Sequence, residues 1–132
     1  MVTDGELAGA AREAMKNAYA PYSGFRVGAA ALTDSGRIYT GTNVENASYG
    51  LTICAERVAV FKAVSEGHSG ITRVAVVSSS GEMTFPCGAC RQVINEFAPA
   101  AQIITADSSG QVRRHNIETL LPNAFGPQNL KG

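Results

Sequence analysis

Three cysteines constrain this chain more than any other feature. They are all the cysteines among its 132 residues, and they fall in two stretches, Thr52-Ile53-Cys54-Ala55-Glu56-Arg57 and Phe85-Pro86-Cys87-Gly88-Ala89-Cys90-Arg91. Both stretches read as helix starts. Thr52 is a capping residue ahead of a helical segment running to about 66, and Pro86 opens a second one running to about 97. A fold that uses all three thiols together must bring two helix N-termini to one edge of a sheet, although a quarter of the chain separates Cys54 from Cys87. Free backbone N–H groups and the helix dipole favour negative charge there, and only the thiolate ligates metal. Three such ligands can hold a tetrahedral zinc and leave its fourth position to water, as catalysis requires.

The rest of the chain supplies the scaffold. Thr3 and Glu6 form a capping-box pattern, and Leu7, Ala11, Ala14, Met15 and Ala18 then recur on one helical face. Residues 25–32 read as a strand whose Gly28 and alanines leave room for a close neighbour. Asp34-Ser35-Gly36 is a tight turn, and 37–41 returns as the antiparallel partner. In the helix after Thr52, Val58, Phe61 and Val64 are expected to face the core. Val74-Ala75-Val76-Val77 is a continuous apolar run, as in a central strand buried on both faces. In the helix after Pro86 the apolar positions are Val93, Ile94 and Phe97. Residues 102–105 and 111–114 read as a last antiparallel pair across the turn Asp107-Ser108-Ser109-Gly110, followed by a short helix at 117–121. This order predicts an α/β fold: a three-layer α-β-α sandwich with a mixed five-stranded sheet, its strand–helix–strand steps parallel crossovers. The whole chain, 1–132, reads as one domain.

Bulk properties narrow the function. Formal net charge is zero and no basic run is present, which argues against a nucleic-acid groove and for a small, nearly neutral ligand. No apolar stretch approaches membrane-spanning length, and no signal peptide is visible. An odd number of cysteines, clustered by motif, suits metal chemistry in a reducing compartment, so the expected location is the cytoplasm.

A Cys-x-x-Cys pair alone is also compatible with half of a structural zinc site or with a redox pair. A closed four-ligand site would need a histidine. His68 lies at the far end of the helix that begins near Cys54, roughly 20 Å away by helical rise, and His115 is expected past the last strand. A redox pair would leave Cys54 and Glu56 without a role. Three thiolates on one Zn²⁺ leave a negative centre, so a nearby cation should donate to a sulfur. Arg57 and Arg91 each follow a ligand position, and Arg57 is the stronger candidate.

Cys54-Ala55-Glu56 together with Pro86-Cys87-Gly88-Ala89-Cys90 resembles the zinc-dependent cytidine deaminases, with cysteine at the histidine position of the broader zinc-deaminase signature. The likeness extends to Pro21-Tyr22-Ser23-Gly24-Phe25, Asn43-Val44-Glu45-Asn46-Ala47-Ser48-Tyr49-Gly50 and Leu121-Pro122-Asn123-Ala124-Phe125-Gly126. It is the small, all-cysteine branch acting on free nucleosides that the chain resembles. The resemblance implies that Cys54, Cys87 and Cys90 hold zinc, and that Glu56 moves protons between the attacking water, N3 and the leaving amine. It further implies that Asn43, Val44 and Glu45 contact the ribose side, that Phe25 packs on the pyrimidine, and that Tyr49 and Phe125 reach a neighbouring subunit's pocket. Relatives of this size imply a homotetramer with composite sites. Two other readings stay open at this point. One is a relative that deaminates a modified cytosine nucleoside such as blasticidin S, and the other is a zinc-stapled binding module with an inert Glu56.

Overall fold

The computed structural model describes residues 1–130; Lys131 and Gly132 lie outside the described residues. Helix α1 (Asp4–Met15) leads into the hairpin β1 (Val27–Thr33) and β2 (Ile38–Thr42). Helix α2 (Ala55–Ser65), β3 (Ile71–Ser78), α3 (Gly88–Phe97), β4 (Gln102–Ala106), β5 (Val112–Asn116) and the short α4 (Ile117–Leu120) follow. The sheet order is β2-β1-β3-β4-β5. β1 pairs antiparallel with both β2 and β3, β3 pairs parallel with β4, and β4 antiparallel with β5. β2 and β3 therefore run the same way, and α2 and α3 are each the crossover of a parallel step.

Three layers follow from strand alternation, since successive side chains point to opposite faces. Ala29 and Ala31 of β1, Val74 and Val76 of β3, and Ile103 of β4 bury against α2 and α3, while Ala30, Leu32, Ala75, Val77 and Ile104 bury against Leu7, Ala8 and Ala11 of α1. The apolar run at Val74-Ala75-Val76-Val77 is thus buried on both sides, as a central strand with helices over each face requires.

Two glycines set how closely the helices approach. A Cβ on Gly28 would stand 2.0 Å from the Ala11 carbonyl oxygen of α1, and one on Gly41 would stand 2.5 Å from the Ala55 oxygen and 2.6 Å from the Ala59 nitrogen of α2. Both helices rest backbone-close on the hairpin. This corrects the expected face of α2. Ala55, Ala59, Val60 and Ala63 form its buried side; Val58 is only half-buried, Val64 packs at the margin of the core, and Phe61 is exposed. At that separation the positions directly over Gly41 must be small, and Ala55 and Ala59 fill them.

Elsewhere boundaries shift by a few residues. The capping box at Thr3 and Glu6 is formed, with both reciprocal bonds present. α1 stops at Met15, so Ala18 is buried beyond it rather than on its face. β5 extends to Asn116, which places His115 inside the strand and not past it. Asp4 at the start of α1 ties the sheet's far edge to this helix: it accepts from Arg73 at 2.6 Å and from Arg114 at 2.9 and 3.0 Å. Among the described residues, no helix is long and apolar enough to cross a membrane.

Candidate active site

The residue that caps α2 is Cys54, and the one that caps α3 is Cys87; both have extended backbone and neither side chain bonds its own helix end. Thr52, the expected cap, instead accepts from the Asn46 N–H at 3.1 Å. Freed from capping, the two thiols project where the N-terminal ends of both helices converge, and Cys90 joins them from the first turn of α3. Cys54 Sγ lies 3.7 Å from Cys87 Sγ, which lies 3.5 Å from Cys90 Sγ, and all three sulfurs are within 4.8 Å of one another. Sulfurs at about 2.3 Å from a tetrahedral zinc stand about 3.8 Å apart. The trio therefore has the spacing of one face of such a tetrahedron, well beyond the roughly 2.05 Å of a disulfide, and all three cysteines are free. The donor set fits zinc.

The surroundings favour thiolate at Cys54. A proton shared with Cys90 holds the Cys54 thiol down at about 5, with Arg57 adding to the effect, and the same sharing pushes Cys90 upward. Arg57 Nη2 donates to Cys54 Sγ at 3.5 Å. Arg91 does something else: Nε donates to the Pro86 carbonyl and Nη1 to the Leu120 carbonyl, each at 2.7 Å, bracing the cysteine loop against α4. Glu56, one residue into α2, is 4% exposed, and burial raises its carboxyl to about 7 against the pull of its own backbone N–H. Neither histidine approaches the sulfurs. His68 packs on Tyr39 with ring centroids 5.9 Å apart, and His115 lies 4.8 Å from the Phe85 ring with Nε2 3.1 Å from Thr105 Oγ1.

A second constellation adjoins the first through backbone. Val44 and Ile53 exchange both N–H···O bonds at 3.0 Å, so the segment Asn43-Val44-Glu45 is held against the residue that precedes Cys54. The Asn43 amide braces the chain leading into β1 with half of its capacity: Oδ1 accepts from the Val27 N–H at 2.9 Å and Nδ2 donates to the Phe25 carbonyl at 2.7 Å. Glu45 accepts from the Tyr22 and Ser23 N–H groups at 2.9 and 3.1 Å and from the Ser23 hydroxyl. Ser23, whose side chain had no assigned role, is the residue that sequence reasoning missed. A Ser-Gly pair reads as turn chemistry, and its partner lies 22 positions away. Tyr22, Ser23, Glu45, Asn46, Tyr49 and Thr52 line a cleft of about 370 Å³.

The aromatic candidates are less gathered. The Phe25 ring is partly exposed at the entry to β1. Tyr49 is 78% exposed and meets Tyr22 edge to face at 6.4 Å. Phe125 is also exposed, its carbonyl tied to Gln92 of α3 at 2.7 Å. Among the described residues, neither Tyr49 nor Phe125 stacks on or hydrogen-bonds to the cysteine group.

Comparison with known proteins places this geometry. The family profile for the cytidine and deoxycytidylate deaminase zinc-binding region matches residues 1–106. A cytidine deaminase of Halalkalibacterium halodurans is 46% identical over 119 residues, which span 89% of this chain and 90% of that protein. A cytidine deaminase of Mycobacterium tuberculosis is 46% identical over 124 residues, spanning 94% and 90%. The crystal structure of cytidine deaminase from Burkholderia pseudomallei superposes with a TM-score of 0.89 at 45% identity, covering 93% of this chain and 99% of that one. With three thiols at zinc spacing on the scaffold those relatives share, the chain belongs to the zinc-dependent cytidine deaminase family.

Proposed function

We propose that this chain hydrolyses cytidine and deoxycytidine to uridine and deoxyuridine with release of ammonia, in pyrimidine salvage in the cytoplasm, and that residues 1–132 form one catalytic domain. The observation that carries the reading is the pairing of three sulfurs at tetrahedral-edge spacing with a buried carboxyl two residues after the first of them. Zinc, when held by Cys54, Cys87 and Cys90, supplies the Lewis acidity that makes water a nucleophile near neutral pH. The protons are moved by Glu56. Its carboxylate takes one from the water attacking C4 and delivers it to N3 of the pyrimidine; it then takes the second from the hydroxyl now on C4 and passes it to the amine, which leaves as ammonia as the C4 carbonyl forms, so a single group acts as base and then as acid. Burial keeps that group away from bulk water, and no side-chain ion pair competes for it among the described residues.

Arg57 offsets the negative charge of three thiolates through its bond to Cys54. Asn43 and Glu45 meet the ribose hydroxyls, Val44 lines their approach, and Phe25 packs on the base. Tyr49 and Phe125, exposed in a single chain, complete the pocket of a neighbouring copy in a homotetramer; Phe61 and Leu51, also exposed, suit burial in such contacts.

Metal content and cytidine turnover measured on the same purified sample test the reading. One zinc per chain, and loss of cytidine absorbance matched mole for mole by ammonia, is the expected result. A zinc-loaded protein that leaves cytidine and deoxycytidine intact would overturn it.

A further inference from the structure

The Glu45 carboxylate is held by more donors than a sugar contact alone needs, and one residue supplies most of them. Oε1 takes the N–H groups of Tyr22 and Ser23, and Oε2 takes the Ser23 hydroxyl. These bonds, the Ser23 hydroxyl first, hold the Glu45 carboxyl below its ordinary range, so it is ionised and can only accept. A carboxylate offers about four acceptor sites. Three are filled by the loop, and the remaining one is on Oε2, the oxygen that the Ser23 hydroxyl holds. That hydroxyl has no freedom to turn round. The Phe25 N–H donates to Ser23 Oγ at 3.0 Å, and since a backbone N–H cannot accept, the hydroxyl proton is directed to the carboxylate.

We propose that Ser23 is a positioning residue for sugar recognition, orienting the Glu45 carboxylate so that its free acceptor site on Oε2 meets a sugar O–H. The proposal rests on the reading of Glu45 as a ribose contact. Ser23 touches neither the base nor the reacting atoms; it acts through Glu45, so its effect depends on a hydroxyl being present on the sugar.

The test compares kcat/KM for cytidine and for 2′,3′-dideoxycytidine in the wild-type enzyme and in the Ser23→Ala, Ser23→Thr and Glu45→Gln variants, with zinc content and melting temperature as folding controls. Ser23→Ala should lose about tenfold on cytidine, as for one hydrogen bond to a charged group, and no more than about twofold on the dideoxynucleoside. Ser23→Thr, which keeps the hydroxyl, should recover most of the cytidine activity. Where Ser23→Ala fails to fold, Ser23→Thr against Ser23→Val asks the same question at nearly constant shape. Equal losses on both nucleosides, or no loss on cytidine, while Glu45→Gln loses activity on cytidine and little on the dideoxynucleoside, would overturn the role of Ser23 alone. A Glu45→Gln variant that loses equally on both would overturn the sugar reading and the proposal with it.

Discussion

The metal corner and the sugar loop touch through the Val44–Ile53 bridge, yet they are assembled in opposite ways. The corner is made by two local devices, each a cysteine standing as the cap of a helix, and its precision comes from where the sheet sends α2 and α3. The sugar loop leaves the end of β2 and has only isolated backbone bridges, to Tyr19 and Ile53. Its side chains add the ties to distant backbone: Asn43 to Phe25 and Val27, Glu45 to Tyr22 and Ser23. A site built from element ends resists loss of one side chain except where chemistry needs it. A site built from side-chain ties loses shape and function together.

The strongest test of the first half is Glu56→Gln. Amide for carboxylate keeps shape and α2 but removes the proton carrier, so kcat should fall by about 10²–10⁴-fold, the usual worth of general acid–base catalysis. Zinc content and melting temperature should stay near wild type, because Glu56 is not a ligand. A variant that retained full turnover would remove Glu56 from the mechanism. Arg57→Gln comes next. Removing the guanidinium from Cys54 should weaken zinc by about 10–100-fold, as for other groups that hydrogen-bond a ligating atom, read by competition with a chromogenic chelator. Unchanged affinity would show that the helix ends alone keep Cys54 a thiolate.

The same contrast explains what could be read in the sequence. That Cys54, Cys87 and Cys90 gather, with a buried Glu56 beside the first, was legible because these residues stand at short fixed spacings on helix starts. The sheet was legible from the tight turn at Asp34-Ser35-Gly36 between β1 and β2 and from the continuous run in β3. The buried face of α2 was not, because periodicity alone points Val58 and Phe61 inward, whereas α2 seats backbone-close on Gly41 through Ala55 and Ala59, which leaves Phe61 exposed. The Ser23–Glu45 tie was equally hidden, since no local pattern announces a bond across 22 positions. His115 was misplaced for a smaller reason: the last strand was expected to end at Arg114, and it runs two residues further, to Asn116.

Asn43→Ala tests the second half. It leaves the Val27 N–H and the Phe25 carbonyl without partners, and a buried polar group stripped of its bond costs about 1–3 kcal/mol. Stability and KM for cytidine should therefore worsen together, with zinc content unchanged. A large rise in KM at full stability would mean that Asn43 acts on substrate alone, and the contrast between the two regions would fail.

The smallest expected effect comes from Asp4, a long-range tie remote from both regions. Arg114, then Arg73, hold its carboxyl below the ordinary value of 3.8. A carboxyl depressed in the folded state contributes stability that is complete above its unfolded pKa and is lost as pH falls through the folded one. Asp4→Asn should therefore cost about 1 kcal/mol near neutral pH, as for a partly exposed ion pair in a small network. The gap between variant and wild type should then close as the pH drops below about 4. Zinc affinity and KM should not move. If they did, side-chain ties anywhere in this fold would reach the active site, and the damage from Asn43→Ala could no longer be assigned to the loop that Asn43 holds.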